Sequence, residues 1–373
     1  MLQDRPRNNS NPVAPQAKPG ILEIAPYVGG KSKAAPGVKV VKLSSNETPL
    51  GASPAASKAF TAAAATLHRY PDGSAASLRS AIAQVYSLPE SQLVCGNGSD
   101  ELIGLLVHAY AGPGDEVLIS EHGFLMYEIY AKGFGATVVK APEKNLRTDV
   151  DAMLARVTPK TKIVFVANPN NPTGSYITKS ELNKLHANLP PHVILAIDGA
   201  YAEYPDKPDY SDGTELVSGS VNVAVLRTFS KIYGLSALRL GWMYAPPAII
   251  DVINRVRSPF NVNAPALAAG EAAVRDTQFT AQTRAFNQRW LDFLIAEIGK
   301  IRGLKVHPSI ANFVLVEFPS GAKSAANANV FMMERGLIPR EVANYGLPNH
   351  LRISVGLEED NHAVVKALSE FMA

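Results

Sequence analysis

The sequence predicts an α/β fold, a mainly parallel β-sheet with helices on both faces, followed by a smaller α/β domain. Three observations carry this. Strand-like and helix-like segments alternate through the middle of the chain. The strands are apolar along their whole length, as strands covered on both faces must be. From about residue 270 the order changes, and two helices precede the next strand.

The elements follow in chain order. Residues 1–20 are rich in Asn and Pro, carry Asp4, Arg5, Arg7 and Lys18, and lack the apolar centre of a secretory signal; they read as a loose arm. Ser91–Cys95 is a short strand. After Gly96-Asn-Gly-Ser-Asp-Glu101, the spacing of Leu102, Leu105, Leu106 and Tyr110 predicts a helix, stopped by Gly112-Pro-Gly-Asp115. Glu116–Ser120 and Ala136–Lys140 are strands with a helix near 126–133 between them. Lys162–Ala167 is an apolar strand ending at Asn168-Pro-Asn-Asn-Pro-Thr-Gly174, and Val193–Ile197 and Val221–Leu226 repeat the pattern. The smaller domain has helices near Glu271–Val274 and Arg284–Ile301, the strand Asn312–Phe318, a helix near Asn329–Arg335, the strand Leu351–Val355 and a last helix. The expected division is an arm (1–20), a segment packing on the small domain (21–45), a large domain (46–270) and a small domain (271–373).

Composition excludes several functions. Of 373 residues, 46% are apolar and 18% charged, enough for a large core and too apolar for global disorder. Lys and Arg number 36 against 33 Asp and Glu, a net charge of +3, too balanced for nucleic-acid binding by bulk charge. No run nears 18 uninterrupted apolar residues, so no membrane span is expected. The single cysteine, Cys95, excludes an intrachain disulfide and suits a reducing compartment, the cytoplasm. The eight histidines are scattered without metal-ligand spacing, so no metal site is expected.

Four motifs sit just beyond strands, where open α/β sheets bind ligands. Gly98, Ser99 and Asp100 open a helix, either as a tight turn with an ordinary cap or as a phosphate cradle on the helix N-terminus; the Lys-Ser/Thr of a triphosphate loop is missing. Asn171 lies in the loop after Lys162–Ala167, as part of a surface turn or with its amide aimed into the crevice. Asp198 ends the next strand, with Tyr201 three residues on; it caps the following element or meets a protonated ring nitrogen. The fourth motif runs from Arg227 to Gly241. In it Lys231 is either a solvated lysine or an amine desolvated by Phe229, Ile232, Tyr233 and Leu235. Desolvation would make it a nucleophile able to form a Schiff base. Thr228, Ser230 and Arg239 form a second phosphate-binding set. A phosphate, a ring nitrogen needing an acid partner, a ring oxygen and an aldehyde together describe pyridoxal phosphate.

The combination Asn171-Pro-Thr-Gly174, Asp198-x-x-Tyr201 and Ser230-Lys231-x-x-Gly-x-x-x-x-Arg239 resembles the class-II pyridoxal-phosphate-dependent aminotransferases of fold type I, and within them the histidinol-phosphate aminotransferase family, over about residues 20–373. The resemblance implies a large cofactor-binding domain with a mainly parallel seven-stranded sheet plus the smaller α/β domain. It implies that Lys231 holds the cofactor and later moves the substrate proton, that Asp198 keeps the pyridine nitrogen protonated, and that Tyr201 and Asn171 bond the ring oxygen. Gly98, Ser99, Asp100, Thr228, Ser230 and Arg239 would surround the phosphate. Phe124 would stack on the ring where relatives usually have Tyr. His122, two residues before it, is read as non-catalytic. Tyr70 in Arg69-Tyr-Pro-Asp-Gly73 resembles a tyrosine that reaches the phosphate of the neighbouring subunit, which implies a homodimer with shared sites.

On the substrate side, Arg352 resembles the arginine that grips the substrate anion, and Tyr27 and Arg340 match positions contacting the histidinol phosphate group. Glu341 is a departure: relatives commonly have proline there, and an inward carboxylate would repel a phosphate. The implied reaction is transamination of L-histidinol phosphate with 2-oxoglutarate, giving imidazole-acetol phosphate and glutamate, in histidine biosynthesis. An aromatic amino-acid aminotransferase is the alternative. A threonine-phosphate decarboxylase ranks below it, and a non-catalytic cofactor-binding module is disfavoured by the retained Lys231, Asp198 and Arg239.

Overall fold

The computed structural model describes residues 16–27, 29–31 and 39–373, so most of the expected arm over 1–20 lies outside the described residues. Seven strands make the large sheet: β1 (Leu93–Gly96), β2 (Glu116–Ser120), β3 (Thr137–Ala141), β4 (Thr161–Ala167), β5 (Ile194–Asp198), β6 (Val223–Thr228) and β7 (Gly241–Tyr244). Their order across the sheet is β1-β7-β6-β5-β4-β2-β3, and only β7 runs against its neighbours.

The central strands are mostly apolar because the sheet has a helical layer on either side. Val164, Val166, Leu195, Ile197, Val223 and Val225 point to one face, packed by α1 (Pro54–Ala63), α2 (Ala76–Tyr86), α5 (Lys179–Asn188) and α7 (Ala264–Arg275). Ile163, Phe165, Ile194, Ala196, Ala224 and Leu226 point to the other, packed by α3 (Ser99–Tyr110), α4 (Leu125–Gly133) and α6 (Pro247–Val256). Alternation along the strand is thus real but invisible in hydropathy, since both faces are dry.

The sequence reading lacks β7. Four apolar residues are too short a run for periodicity to register, and pairing with both β1 and β6 is what makes them a strand. Strand β1 starts at Leu93 rather than Ser91 because Glu90–Gln92 close a 3₁₀ turn. The two helices expected near Glu271–Val274 and Arg284–Ile301 begin earlier: Asn263 caps α7, and Asp276 caps α8 (Thr277–Gly299). Gly270, the last residue of the expected large domain, lies inside α7.

The second sheet is antiparallel, with β8 (Lys305–His307), β9 (Phe313–Glu317), β10 (Arg340–Glu341) and β11 (His350–Ser354) in the order β8-β9-β11-β10. Val314, Val316, Leu351 and Ile353 face a core built with α8, α9 (Ala325–Glu334) and α10 (Glu358–Met372). The opposite residues, Phe313, Arg352 and Ser354, face the large sheet. Val41–Lys42 pairs in parallel with Leu337–Ile338, which ties the N-terminal segment to this part of the chain.

One buried cation anchors the loop that follows β5. Arg227 on β6 is 2% exposed and donates to Glu203 (3.1 Å) and Asp212 (2.5 Å), with its guanidinium near the rings of Tyr86 and Trp242. Its side chain also packs against Gly199, where a Cβ would meet Arg227 Cδ at 3.0 Å. The turn carrying Tyr201 is therefore built on this arginine. Arg227→Leu leaves Glu203 buried and uncompensated, so urea unfolding should show a loss of about 3–5 kcal/mol.

Candidate active site

All the sequence-predicted site residues except Gly98 and Tyr70 line one cavity of about 210 Å³ at the carboxyl ends of β4, β5 and β6. They come from eight separate stretches of chain, and the two sheets bring them together. Strand register does part of the work directly: Ala167, Asp198 and Leu226 are cross-strand neighbours, so the three following loops start at one level.

At one end is the N-terminus of α3. Gly98 takes φ +83°, and a Cβ there would meet Arg239 Nη2 at 2.9 Å, so only glycine lets the arginine lie against this turn. Gly241 makes room from the other side: a Cβ on it would lie 2.4 Å from Ser99 N. The first N–H groups of α3 have no intrahelical acceptor and carry the positive end of the helix dipole. Arg239 donates to Ser230 Oγ (3.2 Å) and lies 3.6 Å from Asp100 Oδ2. Burial raises the Asp100 carboxyl, with Arg239 opposing. Thr228 Oγ1 accepts from Ser230 N–H at 3.1 Å, which shapes the turn between the two. The end is suited to a phosphate.

Asp198 is 4% exposed, and no cation is within ion-pair distance of it among the described residues. Tyr127 donates its hydroxyl to Oδ2 at 2.7 Å, and Ala200 N–H donates to Oδ1 at 3.1 Å. Burial pushes the carboxyl up to about 6, while the two hydrogen bonds pull it down. A protonated ring nitrogen in the cavity would supply the missing cation.

Lys231 follows β6. Burial first, then the nearby Arg352, lowers its amine to about 8. Nζ donates to the carbonyl of Ser45 at 3.0 Å and lies 5.7 Å from the Tyr201 ring. Tyr201, whose hydroxyl burial pushes up to about 12, accepts from Asn46 Nδ2 at 2.8 Å, leaving its own proton to donate. Asn171 Oδ1 accepts from Arg352, which turns the amide NH₂ outward as a donor. Phe124 presents its ring to the cavity and stands edge-on to Tyr127.

Arg352 is 5% exposed and has no carboxylate partner among the described residues. It donates to Asn171 and to the carbonyl of Ser44 (2.7 Å), and Nε has no acceptor among them. Burial lowers this guanidinium. Arg340 is its cross-strand neighbour, buried, with its guanidinium 5.9 Å from the Tyr27 ring. A larger cavity of about 630 Å³ shares Tyr27 and Arg340 with the first. Glu341 is paired with Leu351 in the ladder, so it leaves the strand on the face opposite Arg340, and it meets Lys31 at 3.0 Å. The carboxylate that departs from the family pattern thus stays out of the smaller cavity, and with Lys31 it lines the larger one. His122 lies outside the site cavity, its Nδ1 2.7 Å from the carbonyl oxygen of Tyr345.

Tyr70 does not join the cavity of its own chain. It is 83% exposed and stacks on Phe260 at 4.7 Å. The scattered-histidine expectation needs correction: the small sheet brings His307 and His350 together beside Glu317. Two site residues escaped the sequence reading. Asn46, at φ +56°, sits in a polar run, Ser44-Ser-Asn-Glu-Thr48, that could have flagged it. Tyr127 reads as an ordinary helix residue, and nothing in the sequence links it to Asp198.

The fold sets a half-buried lysine amine and a helix N-terminus suited to an anion at the ends of parallel strands, the setting of an enzyme site. The chain belongs to the family described as aminotransferase class I and II, whose model matches residues 38–368. It is 52% identical over 361 residues to the histidinol-phosphate aminotransferase of Rhodopseudomonas palustris strain BisB18, covering 96% of this chain and 99% of that one. It is 53% identical to the enzyme of the same name from Rhodospirillum centenum, again over 96% and 99% of the two chains. Among solved structures, the histidinol-phosphate aminotransferase of Sinorhizobium meliloti in complex with pyridoxal 5'-phosphate superposes with a TM-score of 0.86 at 25% identity, over 96% of this chain and 98% of that one.

The raised Asp198 carboxyl has a signed consequence. Its folded pKa lies above the unfolded value, so the native state takes up the proton first. The buried charge therefore costs stability above about pH 6, and the cost is relieved as pH falls from about 6 toward 4. In cofactor-free protein, Asp198→Asn should resist urea better than wild type at pH 7.5, by up to about 3 kcal/mol, with the advantage fading toward pH 4.

Proposed function

We propose that the protein transaminates L-histidinol phosphate with 2-oxoglutarate, using pyridoxal 5'-phosphate, to give imidazole-acetol phosphate and glutamate in histidine biosynthesis. The observation that carries this is the convergence of Lys231, Asp198 and Arg352 in one cavity, Asp198 and Arg352 buried, Lys231 half-buried, and none ion-paired among the described residues. The relatives named above support the choice of substrate.

The residues fit the cofactor. The α3 N-terminus with Gly98, Ser99 and Asp100, and Thr228, Ser230 and Arg239 opposite, would hold its phosphate. Phe124 would stack on its ring, and Asn171 and Tyr201 would donate to the ring oxygen. When bound, the cofactor supplies an aldehyde and an electron-withdrawing ring that acidifies the substrate Cα–H. Asp198 keeps the ring nitrogen protonated, and its low-dielectric surroundings strengthen that pairing. Lys231 would hold the aldehyde, and its amine, once freed, would move the proton of the substrate carbon; burial lowers it to about 8, so more of it is uncharged near neutral pH than of a solvated lysine. Arg352, Arg340 and Tyr27 bind the substrate anion.

Two buried guanidiniums placed opposite each other repel, and an anion between them relieves the repulsion. The phosphate of histidinol phosphate brings up to two negative charges to this place, where the α-carboxylate of an aromatic amino acid brings one. The purified enzyme should therefore turn over histidinol phosphate with kcat/KM at least about a hundredfold above phenylalanine. Equal efficiency would favour the aromatic reading, and carbon dioxide release from threonine phosphate the decarboxylase. Borohydride reduction and peptide mapping should place the cofactor on Lys231, and Lys231→Ala should abolish turnover.

We read the enzyme as a homodimer with shared sites. Tyr70, Phe260 and Leu67 are exposed apolar side chains in neighbouring loops, and Tyr70 has no role within its own chain's cavity. The division into a cofactor-binding domain (46–270) and a small domain (271–373) accords with the two sheets. The lone, buried Cys95 suits a cytoplasmic enzyme. Tyr70→Ala and Lys231→Ala, both impaired alone, should complement when co-expressed with different tags, because one site of the heterodimer carries neither defect. The doubly tagged heterodimer should then recover up to about half of wild-type activity, and recovery no better than the parents would count against Tyr70 crossing the interface.

A further inference from the structure

Away from the cofactor end, the small sheet carries a side-chain cluster that the proposed reaction does not use. His307 ends β8, Glu317 ends β9 and His350 begins β11. The ladder places Glu317 directly opposite His350, and His307 opposite Leu315, two residues before Glu317. All three side chains therefore leave the sheet on one face, the face that also carries Arg352. His307 Nε2 lies 3.2 Å from His350 Nε2 and 3.2 Å from Glu317 Oε2, and His350 Nε2 lies 3.8 Å from the same oxygen.

We propose that His307, Glu317 and His350 bind one divalent transition-metal ion of the zinc class, clamping β8, β9 and β11 together. Spacing is the first argument. A tetrahedral ion with ligands at about 2.0–2.2 Å sets its donor atoms about 3.3–3.6 Å apart, and the three separations here bracket that edge. Donor type is the second. Two imidazoles and one carboxylate suit zinc, and three protein ligands leave a fourth position for water. Burial is the third. Both histidines are under a tenth exposed, so their ring nitrogens have little water to bond. Without an ion, the two facing Nε2 atoms share at most one hydrogen bond.

The competitor is also visible. Lys305 lies opposite Glu317, with Nζ 3.2 Å from Oε2, but its side chain is 70% exposed and can swing into solvent. The ion would replace this surface pair by a bond to two other strands. It would fix the start of β11, two residues before Arg352.

The test is calorimetric titration of the holoenzyme with Zn²⁺, followed by anomalous diffraction at the zinc edge. One ion per chain should bind, located between the three side chains. His307→Gln, His350→Gln and the milder Glu317→Gln should each weaken binding by at least about tenfold, with folding checked by circular dichroism. Lys305→Met should tighten it, and His68→Gln, an exposed histidine elsewhere, should leave it unchanged. An ion found at another place, absence of binding in the wild-type enzyme, or Glu317→Gln binding as tightly as wild type would overturn the proposal.

Discussion

The structure depends on keeping Lys231, Asp198 and Arg352 charged, or nearly so, inside a dry cleft without letting them pair with each other. Each is desolvated at a cost. The cost shows as a carboxyl raised to about 6 and an amine lowered to about 8. If Lys231 and Asp198 closed into an ion pair, both shifts would vanish, and so would the free amine and the free acid. They stay apart because each is held by neutral partners: the Ser45 carbonyl for the amine, and Tyr127 and the Ala200 N–H for the carboxylate. The helical layers on both sides of the sheet supply the low dielectric that makes this arrangement costly when empty and favourable once complementary charges arrive.

The two sheets meet through a short polar network beside the apolar contact of Phe313 with Tyr201. Asn46 donates its backbone N–H to Ser354 Oγ and its amide to the Tyr201 hydroxyl, and accepts at its carbonyl from Asn312. Arg352 reaches the Ser44 carbonyl and Asn171. A residue of β11, a residue after β5 and the segment at 44–46 are thus hydrogen-bonded into one unit. Arg352 is thus positioned against Asn171 and Tyr201 by hydrogen bonds of fixed direction, which an apolar contact would not provide. Arg227 does the same work below, anchoring the turn from which Tyr201 projects.

What was legible in the sequence follows from range. Apolar strands, the turn at Gly98 and the run from Thr228 to Arg239 are local signals, and the site residues read beside them line the cavity except Gly98, whose part is to let Arg239 approach. Strand β7 was not legible because its identity lies in its partners. Tyr127 was not, because an i-to-i+71 hydrogen bond leaves no trace in local pattern. The histidine pair was missed for the same reason: 43 residues separate His307 from His350, and only antiparallel register brings them to one spot. Tyr70 is a different case, since its expected role is in a second copy of the chain.

The period of two along β10 and β11 explains why the departure at Glu341 leaves the anion site intact. Arg340 and Arg352 are cross-strand neighbours on the cavity face, and Glu341 falls on the other face, where Lys31 meets it. A substitution one position away in sequence is therefore on the far side of the sheet. On the proposed reading, Arg340 and Arg352 meet an anion of each substrate, the phosphate that is the only anion of histidinol phosphate and a carboxylate of glutamate. One pair of planar donors can bind either in a bidentate manner. The exchange of two unlike amino donors in one site then needs no rearrangement of the pocket, only a cation pair that accepts anions of different size.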